Sequence, residues 1–208
     1  MAFEILDPVS TESDLEQMYV APQSTSIRKV TPRLTPAYRA MVEASPFFVI
    51  ATIGPRGIDC SPRGDAPGFV RVHDDSTLLL PERRGNNRID TLRNIVRDPR
   101  ASILFLIPGI SELLRVNGHA ALSRNPALCQ SFAVKAAAPK LVIVFNLEQV
   151  MFQCARAVVR AGLWDPSKFR KFGEVPTAGR MLSDATAGEE GGGDYDAILP
   201  ARIQSTLY

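Results

Sequence analysis

The sequence predicts an α+β fold, mainly β, in which an antiparallel barrel or sandwich carries added helices. Two observations lead to this prediction. Six or seven short apolar runs, rich in β-branched and aromatic residues, are separated by turn residues. Helical patterns are interspersed among these runs, without the regular strand–helix alternation that is typical of a parallel sheet.

The elements divide the chain into three predicted parts. Residues 1–46 form a helical extension, in which Thr35-Pro36 has the signature of an N-cap followed by a proline in the first turn. Residues 47–165 form the barrel, and residues 166–208 form a tail of little periodicity that packs on the barrel or on a second subunit. The predicted strands are 47–53, 58–64, 69–72, 77–80, 101–107, 113–122 and 141–153, and the predicted helices among them are 87–97, 125–137 and 155–164.

Composition excludes several classes of protein. The chain has 208 residues, 45% of them hydrophobic and 22% charged, which is enough to bury a core. A net charge of +2 argues against a general nucleic-acid or membrane-surface binder. The sequence has no signal-peptide pattern, and its apolar runs fall well short of the roughly 20 residues that a membrane span needs. Three widely spaced cysteines are typical of a reducing compartment, so we expect a cytoplasmic protein.

Motif searches are negative for most common chemistries. Dinucleotide-binding, P-loop, nucleophile-elbow and zinc-protease patterns are all missing from the sequence. His73 and His119 are the only histidines, so we expect neither a metal site nor a Ser-His-Asp triad.

Two polar segments interrupt the apolar strands. Cys60–Asp65 ends one predicted strand, and Pro81–Arg88 leads from another strand into a predicted helix. The second segment has three arginines and two asparagines close to a helix start, a combination that suits a phosphate monoester. A solvated basic loop explains the same residues equally well, and the residues alone do not decide between these interpretations.

The order of several motifs along the chain resembles the pyridoxamine 5′-phosphate oxidase-like family of FMN-binding split barrels, in particular a bacterial branch whose substrate is unknown. No single motif is specific, but the ordered set is. Residues 36–166 and the last two residues carry this resemblance. The motifs are Ser61-Pro62-Arg63-Gly64-Asp65, Leu78–Pro81, Arg84-Gly85-Asn86-Asn87-Arg88, Leu92–Ile95, Asp98-Pro99, Leu113–Ala120, Cys154–Ala157, Arg160, Leu163–Pro166 and Leu207-Tyr208.

The resemblance implies a six-stranded antiparallel Greek-key split barrel that forms a homodimer. It implies two FMN molecules between the subunits, with the first segment along the ring and the ribityl chain and the second around the phosphate. It further implies that residues near the end of the barrel reach the flavin from the other subunit. The candidate cofactor-binding residues are Ser61, Pro62, Arg63, Gly64, Asp65, Leu80, Pro81, Arg83, Arg84, Asn86, Asn87, Arg88, Arg115, Arg160 and Trp164.

Two departures from true pyridoxamine phosphate oxidases bear on the substrate more than on the flavin. Asn87-Arg88 replaces an Arg-Lys pair, and Asp65 stands where a lysine ends the strand, so it would repel a substrate phosphate. Gly64 lets a flat ring approach the backbone. Arg63 either neutralises charge near the flavin ring or forms a salt bridge with Asp65 or Glu82.

Some candidates have equally simple structural explanations. Arg115 alternates with Asn117 on one face of its strand, which is either a dimer cleft or an exposed surface. Trp164 contacts the flavin, or serves as a core or interface residue.

We therefore expect an FMN-dependent oxidoreductase that acts on a small molecule with oxygen or a nicotinamide donor, and we name no catalytic residue. The alternatives are a flavin-binding or redox-sensing protein without turnover, and a split barrel that binds haem or a deazaflavin instead.

Overall fold

The computed structural model describes residues 4–208, and two compact units divide the chain after Val30. The first unit contains the short helices α1 (Glu12–Met18) and α2 (Ser24–Arg28). The cap of α1 is a reciprocal pair in which Thr11 and Asp14 each accept a hydrogen bond from the other's backbone N–H. In the described residues, no helix is long and apolar enough to cross a membrane.

The second unit, Thr31–Tyr208, is built on one antiparallel sheet of seven strands. The predicted α+β class is confirmed. The count of six strands that the resemblance implies is wrong, because the described sheet has seven strands, and the sheet is not closed. Its strands are β1 (Phe47–Gly54), β2 (Gly57–Gly64), β3 (Arg71–Asp74), β4 (Thr77–Pro81), β5 (Arg100–Leu106), β6 (Leu113–Ser123) and β7 (Val142–Gln153), in the spatial order β2-β1-β5-β6-β7-β4-β3.

The core lies on one face of this sheet, because alternate residues of each strand point to the same side. Phe48 and Phe105 are fully buried from neighbouring strands, and Phe48 stacks on Phe69 with ring centroids 5.6 Å apart. Burial of such rings supplies much of the stability of a domain of this size.

Helices pack against several strands of the sheet, and two further helices lie in the tail. The sequence predicts a tail of little periodicity, but the tail contains two helices. The first, α7 (Ala178–Ala185), begins after a Thr177 side-chain cap, and the second, α8 (Gly192–Ser205), contains Pro200. The helices of this unit are α3 (Pro36–Ala44), α4 (Asp90–Arg97), α5 (Pro126–Ser131), α6 (Arg156–Ala161), α7 (Ala178–Ala185) and α8 (Gly192–Ser205), with one turn of 3₁₀ helix at Pro166–Lys168.

Gly118 is a position where only glycine fits. The register of β6 on β7 shifts between Asn117 and Gly118, and a Cβ atom on Gly118 would collide with the carbonyl oxygen of Asn146. We expect Gly118→Ala to lower the free energy of unfolding by about 2 kcal/mol, because a backbone group must move to make room. Urea denaturation measures this loss. Gly193→Ala is the control, since open space surrounds that glycine, and an equal loss in both variants would contradict the collision.

Candidate functional site

Two ion pairs bring together the ends of β2 and β4, which are the first and the sixth strands in the order of the sheet. Arg63 Nε lies 3.2 Å from Glu82 Oε2, and Arg83 Nε lies 2.7 Å from Asp65 Oδ2. The sheet therefore curls until these ends meet, and the two polar segments predicted from the sequence form one site. We call these four residues the junction.

Asp65 is the most enclosed group of the junction, with a side chain that is only 5% exposed. Its Oδ1 accepts hydrogen bonds from the Tyr208 hydroxyl at 2.7 Å and from the Ala66 N–H at 2.8 Å. Burial raises the pKa of Asp65, but the hydrogen bonds from Tyr208, Ala66 and Arg83 outweigh it and hold the pKa below its ordinary value. The carboxyl is therefore ionised at neutral pH. The same hydrogen bond raises the pKa of Tyr208, because only the protonated phenol can donate to the Asp65 carboxylate.

The arginines of the two segments divide into engaged and available groups. Arg63 and Arg83 are engaged by the junction carboxylates, and Arg83 Nη1 also donates to the Phe132 carbonyl at 2.7 Å. In the part of the chain that the structure describes, Arg84 has no hydrogen bond or ion pair. Arg88 pairs with Asp90 at 2.9 Å, but its side chain is 71% exposed. Arg84 and Arg88 are thus the guanidinium groups available to an anion.

The helix start predicted inside the second segment lies further along the chain. Helix α4 begins at Asp90 rather than near Asn87, because Asn87 and Ile89 both have left-handed backbone conformations. Asn86 Oδ1 accepts a hydrogen bond from the Arg88 N–H at 3.1 Å, which turns the chain before the helix. The segment therefore presents its basic side chains from an irregular loop.

Arg115 lies on the face of the sheet that points away from the core. Its Nη2 lies 2.9 Å from Met151 Sδ, and its Nε is buried without a hydrogen-bond partner. Half-buried apolar residues of β1 and β5 share this face, among them Ala51 and Leu104. Next to them lies a groove of about 330 Å³, whose rim includes His119, 3.0 Å from Glu148. This nitrogen therefore has a donor that no described residue uses.

The remaining candidates lie in several places. Ser61 is half-buried and Pro62 is exposed on β2, whereas Leu80 and Pro81 on β4 are buried, Leu80 in the core. Trp164 Nε1 donates to the Ile110 carbonyl at 2.8 Å, and among the contacts described for Trp164 and Arg160 none reaches the junction. A Cβ on Gly64 would lie 3.3 Å from both Pro46 O and Phe47, so the chain itself fills that space.

Comparison of the sequence with protein families places this chain in a known family. The model of the family described as pyridoxamine 5′-phosphate oxidase matches residues 34–154, more than half of the chain. The chain belongs to the pyridoxamine 5′-phosphate oxidase family. The matched range contains the junction, Arg84, Arg88 and Arg115, but neither Trp164 nor Tyr208.

None of the curated proteins is similar enough in sequence to match. Among solved structures, HupZ of Group A Streptococcus is 20% identical and has a TM-score of 0.46, over 56% of this chain and 91% of that one. An FMN-binding protein from Syntrophomonas wolfei is 11% identical at a TM-score of 0.43, over 56% of this chain and 83% of that one. A Clostridium acetobutylicum protein related to general stress protein 26 is 10% identical at a TM-score of 0.41, over 57% and 92%.

Sequence reasoning missed one residue that contacts the junction and left the partner of another open. Tyr208 was noted only as part of the resemblance, although it reaches Asp65 across 143 positions of the chain. Glu82 was one of two partners weighed for Arg63, and the structure selects it. The signal for Tyr208 in the sequence is no more than an aromatic residue at the end of a polar tail.

Proposed function

We propose that this protein is an FMN-dependent oxidoreductase that acts on a small molecule, as a split-barrel homodimer with FMN between the subunits. Family membership supports a flavin site, and the observation that carries the proposal is the junction itself. It assembles the two polar segments at one place while it leaves Arg84 and Arg88 available.

The chemistry of these residues suits FMN. The phosphate carries negative charge, for which the forked donors of Arg84 and Arg88 are good partners. The buried, unpartnered Nε of Arg115 suits an acceptor oxygen on the outer face of the sheet. In this proposal Arg84 and Arg88 hold the phosphate, and Arg115 contacts the cofactor or the second subunit.

When bound, the flavin supplies hydride and electron transfer. The chain therefore has to bind the flavin, orient the substrate and shield both from solvent. The ion pair with Glu82 fixes the direction of the Arg63 side chain. Asp65 stays ionised at neutral pH and therefore does not donate a proton. Asp65 stands where a lysine ends the strand in true pyridoxamine phosphate oxidases, and its pair with Arg83 leaves neither group free to bind a substrate phosphate, which is why we propose a substrate other than pyridoxamine phosphate.

The first test is the visible spectrum of the purified protein, before and after heat releases any bound molecule, with that molecule identified by its mass. We expect two flavin bands and released FMN. A colourless protein that also fails to take up added FMN would overturn the proposal. Reduction of the bound flavin by NADH or NADPH separates an oxidoreductase from a flavin-binding protein without turnover.

The outer face of β1 and β5 is the proposed dimer contact, because half-buried apolar side chains cover it. We expect Ala51→Arg to convert the dimer to a monomer and to weaken FMN binding at least about tenfold, since a charge would be buried between the subunits. Sedimentation velocity measures the assembly. Val96→Arg is the matched control, on an exposed position of α4. A wild-type chain that sediments as a monomer would refute the proposed contact.

A further inference from the structure

We infer that Tyr208 is a strap that closes the candidate site, with its hydroxyl hydrogen-bonded to Asp65 and its ring beside two cationic side chains. The retention of flavin by this strap rests on the proposed function. The docking of Tyr208 does not rest on it.

The contact of Tyr208 is specific in its geometry. Its hydroxyl donates to Asp65 Oδ1 at 2.7 Å, a bond strengthened by the charge of the carboxylate. The centroid of its ring lies 5.8 Å from the guanidinium carbon of Arg83 and 5.9 Å from Lys135 Nζ, both within the range of cation–π attraction. The Tyr208 side chain is therefore held at three points.

The segment that leads to Tyr208 is held much less firmly. Within the described residues, no hydrophobic side chain after Val158 is buried. The described side-chain hydrogen bonds of the tail helices stay within the tail, as in the contacts of Thr177 and Gly179 with Asp196. Segments with few buried contacts open at low free-energy cost. The contacts of Tyr208 therefore hold the end of a tail segment that has no buried hydrophobic side chain.

The position of the contact indicates that Tyr208 lies beside the anion-binding arginines and does not block them. Tyr208 rests on Asp65 and Arg83, two groups that already neutralise each other. It makes no described contact with Arg84 or Arg88, the arginines available to an anion. Docking of Tyr208 therefore leaves those arginines open, and it closes the side of the site beside them.

Digestion by carboxypeptidase A, which removes aromatic carboxyl-terminal residues, tests the docking in a flavin-free chain that ends at Tyr208. We expect Tyr208→Phe and Asp65→Asn to release the terminal residue at least about tenfold faster than wild type, because each weakens the hydroxyl–carboxylate bond. Each rate is divided by that of a synthetic peptide with the same last nine residues. Asp184→Asn is the control, since its carboxylate pairs with Arg180 in the same tail. Release from wild type at the peptide's rate would overturn the inference.

Stopped-flow dissociation of FMN tests the closing role. We expect FMN to leave at least about tenfold faster from Tyr208→Phe, and from a chain without its last two residues, than from wild type. The Tyr195→Phe variant, altered in α8, should match wild type. Equal dissociation rates in all of these proteins would overturn the strap. Failure of every protein to bind FMN would instead count against the proposed function, while the digestion result would stand by itself.

Discussion

Replacing both Arg84 and Arg88 with alanine is expected to weaken FMN binding by about 100-fold or more, because each guanidinium contributes a charge-assisted contact to the phosphate. These two arginines are the ones that the junction leaves available. Riboflavin has the same ring system without the phosphate, so its affinity should change less than about threefold. Flavin fluorescence titration of both ligands gives the two dissociation constants.

The matched control is Arg97→Ala, which removes an exposed arginine at the other end of α4. It should leave the affinity for both flavins unchanged. An equal loss of FMN and riboflavin affinity in the double variant would mean that these arginines support the loop rather than bind phosphate. Unchanged FMN affinity would place the phosphate elsewhere.

Asp65→Ala is expected to lower the free energy of unfolding by about 3 kcal/mol, since it leaves the Arg83 guanidinium enclosed without its counter-charge. The side chain of Arg83 is only 15% exposed. The variant also removes the acceptor of the Tyr208 hydroxyl. Urea denaturation at one fixed protein concentration measures the loss, because association with a second copy would add to the apparent stability.

An exposed pair of the same chemistry provides the comparison. Arg39 and Asp75 lie 2.9 Å apart, but their side chains are 35% and 61% exposed. Asp75→Ala should therefore cost less than about 1 kcal/mol. If the two aspartate variants lost equal stability, enclosure of the Asp65–Arg83 pair would not explain the effect.

The contribution of Asp65 depends on pH in a defined direction. Its pKa in the folded protein is lowered, so the stabilisation is fully present above the pKa of the unfolded chain, about 3.9. The stabilisation is lost as the pH falls through the lowered pKa, where the folded protein also takes up the proton. The difference between wild type and Asp65→Ala should shrink as the pH falls below about 4, and a constant difference would contradict this assignment.

Local patterns predicted the sheet well, because alternation of apolar residues and turn chemistry act over a few residues. The first hairpin is an example: Gly54 pairs with Gly57 where the sequence places its turn. The start of α4 was predicted three residues too early, since nothing in the sequence indicates that Asn87 and Ile89 take left-handed conformations. The tail helices were missed because a run of glycines begins α8 and Pro200 lies inside it.

The site could be predicted only as separate segments. Arg63 and Glu82 were recognised as possible partners, but β2 and β4 lie far apart in the order of the sheet. Only the curl of the whole sheet brings their ends together, and curl is a property of many residues rather than of a motif. Tyr208 was beyond prediction as a site residue for the same reason, since its partner lies 143 positions away.

The position of Pro62 restricts how two copies of this chain can meet. Strand β2 forms one edge of the sheet, and an edge is where a strand from another molecule can add by backbone pairing. Pro62 lies within that edge strand, paired with Val49, and has no N–H to donate to an added strand. A strand from another molecule therefore cannot pair continuously along this edge, which disfavours polymerisation by strand addition. Two copies can still associate through the faces of their sheets.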